Sequence, residues 1–303
     1  MSVEFCGLTL AHRIVNGSGT FDAIAARRAF GEALDAEFPF AAFVSKTITL
    51  SPREGNPPPR LWEAPAGLVN SIGLPNRGLE GYLAEDLPAL ARWLPVPLIT
   101  NVMGSTAAEI AELVRACEAR EEIAAIELNV SCPNVRTGLD IGADPGQLEA
   151  VVRAVRVNTR KPLIVKLTPN TADVAACAWA AQEGGADAVS LINTLRAMAL
   201  VPRGDRGAAR VPAGSAINPP RRWLGGDTGG LSGPAIRTVA LAQVAAVAAR
   251  VEIPVIGMGG VQNAAHARDL LDVGATLVAV GSESFRDPLA GARIAEDLAS
   301  GLA

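Results

Sequence analysis

The sequence predicts a (β/α)8 barrel on three observations. Short apolar segments recur eight times, each followed by a segment with helical patterning. Eight such units occupy about 250 residues, and two long stretches without periodicity take up the rest of the 303. Polar side chains gather where the apolar segments end, the face on which a parallel barrel carries its chemistry. A doubly wound open sheet is the rival, but no G-x-G-x-x-G follows the first strand.

The first strand is expected over residues 14–17, leading to Ser18-Gly19-Thr20 and an alanine-rich helix over 23–36. The second covers 41–44 and ends in Ser45-Lys46-Thr47. Residues 50–77 follow, with Pro52, Pro57, Pro58, Pro59 and Pro65 among their prolines and little periodicity, too long for an ordinary connection. A helix over 79–93 closes that unit. The third strand is 97–102, and Thr106-x-x-Glu109 makes a capping box for a helix reaching residue 120. The fourth begins at Ala125-Ile126-Glu127-Leu128-Asn129-Val130-Ser131, where polar and apolar residues alternate with period two. Asp144-Pro145 starts its helix, a cap followed by proline at the first helical position.

The fifth strand covers 163–167, with a helix over 172–183 stopped by Gly184-Gly185. The sixth covers 188–192 and ends in Asn193-Thr194. Residues 195–230 form the second excursion, with Arg196, Arg203, Arg206, Arg210, Arg221 and Arg222. A mobile cover is expected there, not a domain. A helix over 234–250, a seventh strand over 253–256, a helix capped by Asn263, an eighth strand over 277–280 and a last helix from Asp287-Pro288 complete the chain.

Thirty glycines and 21 prolines are spread along the sequence, which suits many tight turns rather than disorder. The formal charge of −4 argues against nucleic acid or an anionic membrane as the main partner. Residues 1–17 lack the basic start and long apolar run of a signal peptide, and no later run is long enough to span a bilayer. Cys6, Cys117, Cys132 and Cys177 form no C-x-x-C pair and no disulfide framework, so a reducing, cytoplasmic setting is expected. No His, Cys or carboxylate cluster has metal-ligand spacing.

The expected strand ends carry Ser18, Lys46, Asn101, Asn129, Cys132, Lys166, Asn193, Thr194, Gly259, Gly260, Gly281 and Ser282. A single strand-end lysine ordinarily reaches solvent and a single asparagine ordinarily makes a turn. Two lysines and three asparagines on one rim point to a site, because buried polar groups need partners. Glycines after strands seven and eight, in Gly257-Met258-Gly259-Gly260 and Val280-Gly281-Ser282, either make tight turns or expose backbone N–H groups to a phosphate. Together they imply a phosphorylated cofactor or substrate. Cys6, Cys117 and Cys177 suit buried packing. Cys132 falls instead in a polar loop just past the fourth strand. With His12 before the first strand and His266 on a helix, general acid/base work fits Cys132 better than a cysteine–histidine pair.

Several segments, taken in order over nearly the whole chain, resemble dihydroorotate dehydrogenase. They are Ser45-Lys46-Thr47, Asn70-Ser71-Ile72-Gly73-Leu74-Pro75-Asn76, residues 127–134, Val165-Lys166-Leu167-Thr168-Pro169-Asn170, Ile192-Asn193-Thr194, residues 229–236 and residues 257–260. The resemblance implies one barrel domain over 1–303 that binds flavin mononucleotide (FMN) and oxidises dihydroorotate to orotate in pyrimidine biosynthesis. It implies Cys132 as the base that takes the C5 proton, while the C6 hydride goes to the flavin. Lys46, Asn70, Ser71, Ile72, Gly73, Leu74, Asn129, Asn193 and Thr194 match substrate-binding positions. Ser18, Lys46, Thr47, Asn101, Asn129, Lys166 and Ile192 match flavin contacts, with Lys166 a cation near the N1–C2 edge. Gly233, Gly259, Gly260, Gly281 and Ser282 match the phosphate cradle.

A cysteine at 132 is similar to the soluble class I enzymes. The wording Ser71-Ile72-Gly73-Leu74 and Cys132-Pro133-Asn134-Val135-Arg136-Thr137-Gly138 looks more like the NAD-linked B-type than the fumarate-linked A-type. The B-type resemblance implies a partner subunit with FAD and an iron–sulfur cluster, because no cysteine set here could hold a cluster. A homodimer inside the larger complex is also implied. The arginine-rich 195–230 stretch is longer than the family's usual connection, which bears on how the site is covered and how a partner docks. Three alternatives stand beside this reading. They are a fumarate-linked enzyme, another pyrimidine-acting flavin barrel such as the dihydropyrimidine dehydrogenase type, and a flavin-binding scaffold without turnover.

Overall fold

The structure is a computed structural model that describes residues 2–131, 141–201 and 222–301. The chain opens with an antiparallel hairpin, β1 (Val3–Phe5) and β2 (Leu8–Leu10). Eight parallel strands follow: β3 (Ile14–Asn16), β4 (Phe43–Val44), then, after the hairpin strands β5 (Leu61–Ala64) and β6 (Gly67–Asn70), β7 (Leu98–Val102), β8 (Ala125–Asn129), β9 (Leu163–Lys166) and β10 (Ala188–Leu191). Short strands β11 (Leu195–Ala197) and β12 (Gly229–Ser232) intervene before β13 (Val255–Met258) and β14 (Leu277–Val280) complete the set. The parallel order β3-β14-β13-β10-β9-β8-β7-β4 makes consecutive barrel strands neighbours, with helices between them, the (β/α)8 arrangement expected from the alternation.

The last gap, between β3 and β4, is closed by a side chain. Asn16 is fully buried, its Nδ2 donates to Val44 O at 2.8 Å, and Val44 N donates to Asn16 Oδ1 at 2.8 Å. Ala41 N adds a bond to Ile14 O at 2.9 Å. One primary amide thus serves both backbone groups of Val44, as a ladder neighbour would. Inside the barrel, Val15, Ile99, Ala125, Ile164, Ala188, Ile256, Leu277 and Ala279 pack with Phe5 and Leu10 of the opening hairpin. The hairpin therefore plugs the barrel end opposite the polar rim. A larger apolar layer joins the outer strand faces to the helices.

Helix starts follow the local chemistry closely. The side chains of Asp22, Thr106, Asp144, Asp173 and Asn263 each accept from a backbone N–H three residues on. In the Thr106 box, the Glu109 carboxylate returns to Ser105 N at 2.7 Å, not to the cap residue itself.

Four expectations need correction. The helix expected over 23–36 breaks at Gly31, whose φ of 64° is open to glycine, leaving Ala23–Phe30 and Ala33–Ala36. The 79–93 helix divides into Gly78–Gly81, a π turn at Tyr82–Asp86 and Leu87–Ala91, where Pro88 has no N–H to continue the α pattern. The seventh barrel strand lies two residues later than expected, at Val255–Met258. The excursions are also not structureless. Each contributes two strands to an antiparallel sheet of order β11-β12-β6-β5 over the rim. Trp223 Nε1 donates to Leu61 O at 3.0 Å and packs edge-on against Trp62, which ties the two excursions together. The middle of the second excursion, residues 202–221, lies outside the described residues.

Asn16→Ala should remove both seam bonds and leave the Val44 N–H and C=O buried without partners. We expect a loss of about 2–4 kcal/mol, read from urea unfolding. An unchanged midpoint would show that the barrel closes without the Asn16 amide.

Candidate active site

A cavity of ≈ 630 Å³ opens at the C-terminal ends of the barrel strands, beneath the four-stranded sheet. Ser18, Lys46, Thr47, Asn70, Ile72, Gly73, Leu74, Asn129, Lys166, Ile192, Asn193, Thr194, Gly233, Gly259, Gly260, Gly281 and Ser282 all line it. The fold thus gathers nearly every residue singled out from the sequence. Ser71 and Asn101 do not line it. Ser71 is fully buried and accepts from Asn56 Nδ2 at 3.0 Å, which anchors the 70–76 loop from behind. Asn101 is also fully buried and donates through Nδ2 to Glu127 Oε2, below the cavity wall. Cys132 lies outside the described residues.

One wall is a continuous chain of hydrogen bonds. Asn129 Nδ2 donates to Thr47 Oγ1 at 3.2 Å, while Asn129 Oδ1 accepts from both Ser131 N and Ser131 Oγ, at 3.2 and 3.0 Å. Ser131 Oγ in turn accepts from Asn193 Nδ2 at 2.9 Å, and Asn193 Oδ1 accepts from Thr194 N at 2.9 Å. Each amide is thereby held in one orientation, and Asn129 keeps a second N–H for a ligand. Ser18 joins the other end, its Oγ 3.4 Å from Thr47 Oγ1 and donating to Ser45 O at 2.8 Å. Ser131 is the hub of this chain, and sequence reasoning did not select it. The hint was its place in the period-two alternation with Glu127 and Asn129.

The opposite wall is backbone. Gly259 and Gly260 turn the chain after β13 with φ of 136° and 70°, and a Cβ on Gly260 would stand 2.9 Å from Gly233 O. After β14, a methyl on Gly281 would meet only Thr20 Cγ2, at 4.0 Å, in the open volume that Gly281 lines. Short helical turns begin at Pro234 and Ser282. Close backbone approach next to helix starts suits an anion such as a phosphate. Further lining that the sequence did not signal comes from Leu61, Leu68 and Phe285, scattered apolar residues with no shared motif.

Electrostatics point the same way. The described lining holds two ammonium groups, Lys46 and Lys166, and no carboxylate. Lys166 is buried, and its ammonium has no hydrogen-bond acceptor among the described residues. Lys46 is exposed at the mouth. Desolvation around its ammonium pulls its pKa below the ordinary lysine value, Asp22 pulls back up, and Arg60 adds to the lowering. Such a cavity favours ligands that carry negative charge.

A barrel rim with closely turned glycines, two lysines without ion-pair partners among the described residues and a wall of fixed amides defines a small-molecule enzyme site. The chain belongs to the dihydroorotate dehydrogenase family: the family model of that description matches residues 1–302. Similar curated proteins carry the name dihydroorotate dehydrogenase B (NAD(+)), catalytic subunit. Those from Citrifermentans bemidjiense and Desulforudis audaxviator are 42% and 43% identical, over 98% of this chain and 92% and 91% of theirs. That from Trichlorobacter lovleyi is 43% identical over all of this chain and 93% of its own.

Burial pushes the Cys117 thiol up to about 12 and also raises Cys177, so neither forms much thiolate at pH 8. Iodoacetamide at that pH should leave both unmodified in the folded protein and label both after denaturation, as seen by mass spectrometry. Labelling of either in the native state would contradict their packing.

Proposed function

We infer that this chain oxidises dihydroorotate to orotate in pyrimidine biosynthesis as one FMN-binding barrel domain over 1–303. The observation that carries this reading is the combination of fixed amides, a glycine cradle and two lysines that, among the described residues, have no ion-pair partner and share the cavity lining with no carboxylate. The substrate is a small ring with a carboxylate and amide edges, and those edges need donors of set orientation. Asn129, Asn193, Thr194 and Lys46 supply them, and Asn70 to Leu74 close over the ring. Asn70 is itself steadied by a bond from its Nδ2 to Gly230 O at 3.2 Å.

The residues present fit FMN. Gly233, Gly259, Gly260, Gly281 and Ser282 would hold its phosphate, with Ser18, Thr47, Asn129, Lys166 and Ile192 along the ring and Asn101 beneath. Bound FMN supplies the acceptor for the hydride from substrate C6. Cys132, the residue after Ser131, takes the proton from C5, and the C5–C6 double bond forms as both leave.

The shared name of the relatives, a catalytic subunit linked to NAD(+), supports electrons leaving through a second chain. We assign FAD and an iron–sulfur cluster to that partner, and a homodimer of this chain to the complex. No helix among the described residues is long and apolar enough to cross a membrane; we assign the chain to the cytoplasm.

Anaerobic addition of dihydroorotate to the purified, flavin-loaded chain should bleach the flavin absorbance; no bleaching would sink the enzymatic reading. Cys132→Ser should still bind FMN and orotate but reduce the flavin roughly 10²-fold or more slowly near neutral pH. Unchanged reduction kinetics would remove Cys132 from the base role. Ser131→Ala removes the hydroxyl that links the two amides, leaving Asn129 held by Thr47 and the backbone N–H of residue 131 and Asn193 by the Thr194 N–H, and should weaken orotate binding about tenfold, measured by flavin difference spectra. Wild-type affinity in that variant would show that the amides are held by other contacts.

A further inference from the structure

Below the cavity floor the barrel interior holds a carboxylate that the reading above does not use. Glu127 stands two residues before Asn129 on β8, on the same inward face, and is 2% exposed. Its Oε1 accepts from Ser190 Oγ at 2.7 Å and its Oε2 from Asn101 Nδ2. No Lys, Arg or His among the described residues forms an ion pair with it. Two neutral donors are poor compensation for burying a charge, and the layer beneath it manages with Ile99, Ala125, Ile164 and Ala188. Packing alone therefore does not account for a glutamate here.

Strand register shows what it faces. Lys166 lies opposite Asn129 on β8 and opposite Ser190 on β10. It is therefore the diagonal neighbour of Glu127 on the inner face of the adjacent parallel strand. Both side chains lie on the inner barrel face of adjacent strands with no ion pair between them, and the Lys166 donors remain for the cavity that it lines. Glu127 also commits the NH2 group of Asn101, leaving Asn101 Oδ1 buried and without a partner among the described residues.

We propose that Glu127 is a positioning residue for the redox site: its buried charge offsets Lys166 without consuming the ammonium, and so lowers the midpoint potential of the bound flavin. The proposal rests on the flavin reading above. Reduction places more negative charge on the flavin, which the two rim lysines favour and a carboxylate beneath the floor opposes. Removing that carboxylate leaves the lysine field uncompensated and makes the flavin easier to reduce.

Glu127→Gln keeps the shape and the capacity to accept from Ser190 while removing the charge. Redox titration of the flavin-loaded variant should show the oxidised–reduced equilibrium moved at least tenfold toward reduction. For a two-electron couple that is about 30 mV more positive. Ser190→Ala, which removes one bond and keeps the charge, should move it less than threefold. A Glu127→Gln potential that is unchanged or more negative overturns the proposal, as does an equal shift in Ser190→Ala. Should the glutamine variant not fold, the wild-type protein labelled with 13C-glutamate serves. Its reduced-minus-oxidised infrared spectrum should contain a label-sensitive carboxylate band, and the absence of one overturns the proposal. A wild-type chain that takes up no FMN would instead sink the functional reading, a result separate from either outcome.

Discussion

The site depends on one seam. A parallel sheet left open between β3 and β4 would have two unpaired edges, and the strand ends that carry Ser18 and Lys46 would be free to part. The Asn16 side chain prevents this by bonding both backbone groups of Val44. Ser18 extends the same seam upward, donating to Ser45 O next to Lys46. Closure of the barrel and completion of the rim are therefore one event, carried by a buried amide that belongs to neither the apolar core nor the cavity lining.

Above that seam, polar groups are arranged by layer. The lowest inward layer is aliphatic and sealed by Phe5 and Leu10 of the hairpin. The next holds Glu127 with Asn101 and Ser190, satisfied among themselves apart from Asn101 Oδ1. The uppermost carries Asn129 and Lys166 at the cavity. Placing amides and a lysine near a low-dielectric interior is costly unless their orientations are fixed and their spare donors have a purpose. The chain from Thr47 through Asn129, Ser131 and Asn193 to Thr194 fixes them, and the unfilled donors face the cavity.

The cover has a different logic. Neither excursion has the periodicity to make a sheet alone, and isolated hairpins are marginal in water. β6 and β12 pair across more than 150 residues of sequence, Gly230 opposite Asn70, and the Trp62–Trp223 contact locks the result. Gly230 has no side chain because a Cβ there would overlap Thr194 Oγ1. The strand that roofs the cavity thus approaches one of its wall residues as closely as a backbone can.

Much of this was legible in the sequence, and the reason is locality. Alternation of apolar segments with helical patterns, caps such as Asp144-Pro145 and Asn263, and glycines after the last two strands act over a few residues, so they specify the barrel units and the position of each strand end. Because a parallel barrel puts all those ends on one face, Lys46, Asn129, Lys166 and Asn193 could be grouped before any coordinates. What tertiary structure decided were relations between residues far apart in the chain. The Asn16 seam, the plug, the antiparallel cover, the placement of Ser71 and Asn101 behind the wall, Ser131 as hub and Glu127 beneath Lys166 all depend on strand register and packing. A single sequence carries no record of which distant backbone a side chain will meet. Locally encoded elements were therefore readable in the sequence, and the polar partnerships that give the site its charge were settled only when the barrel closed.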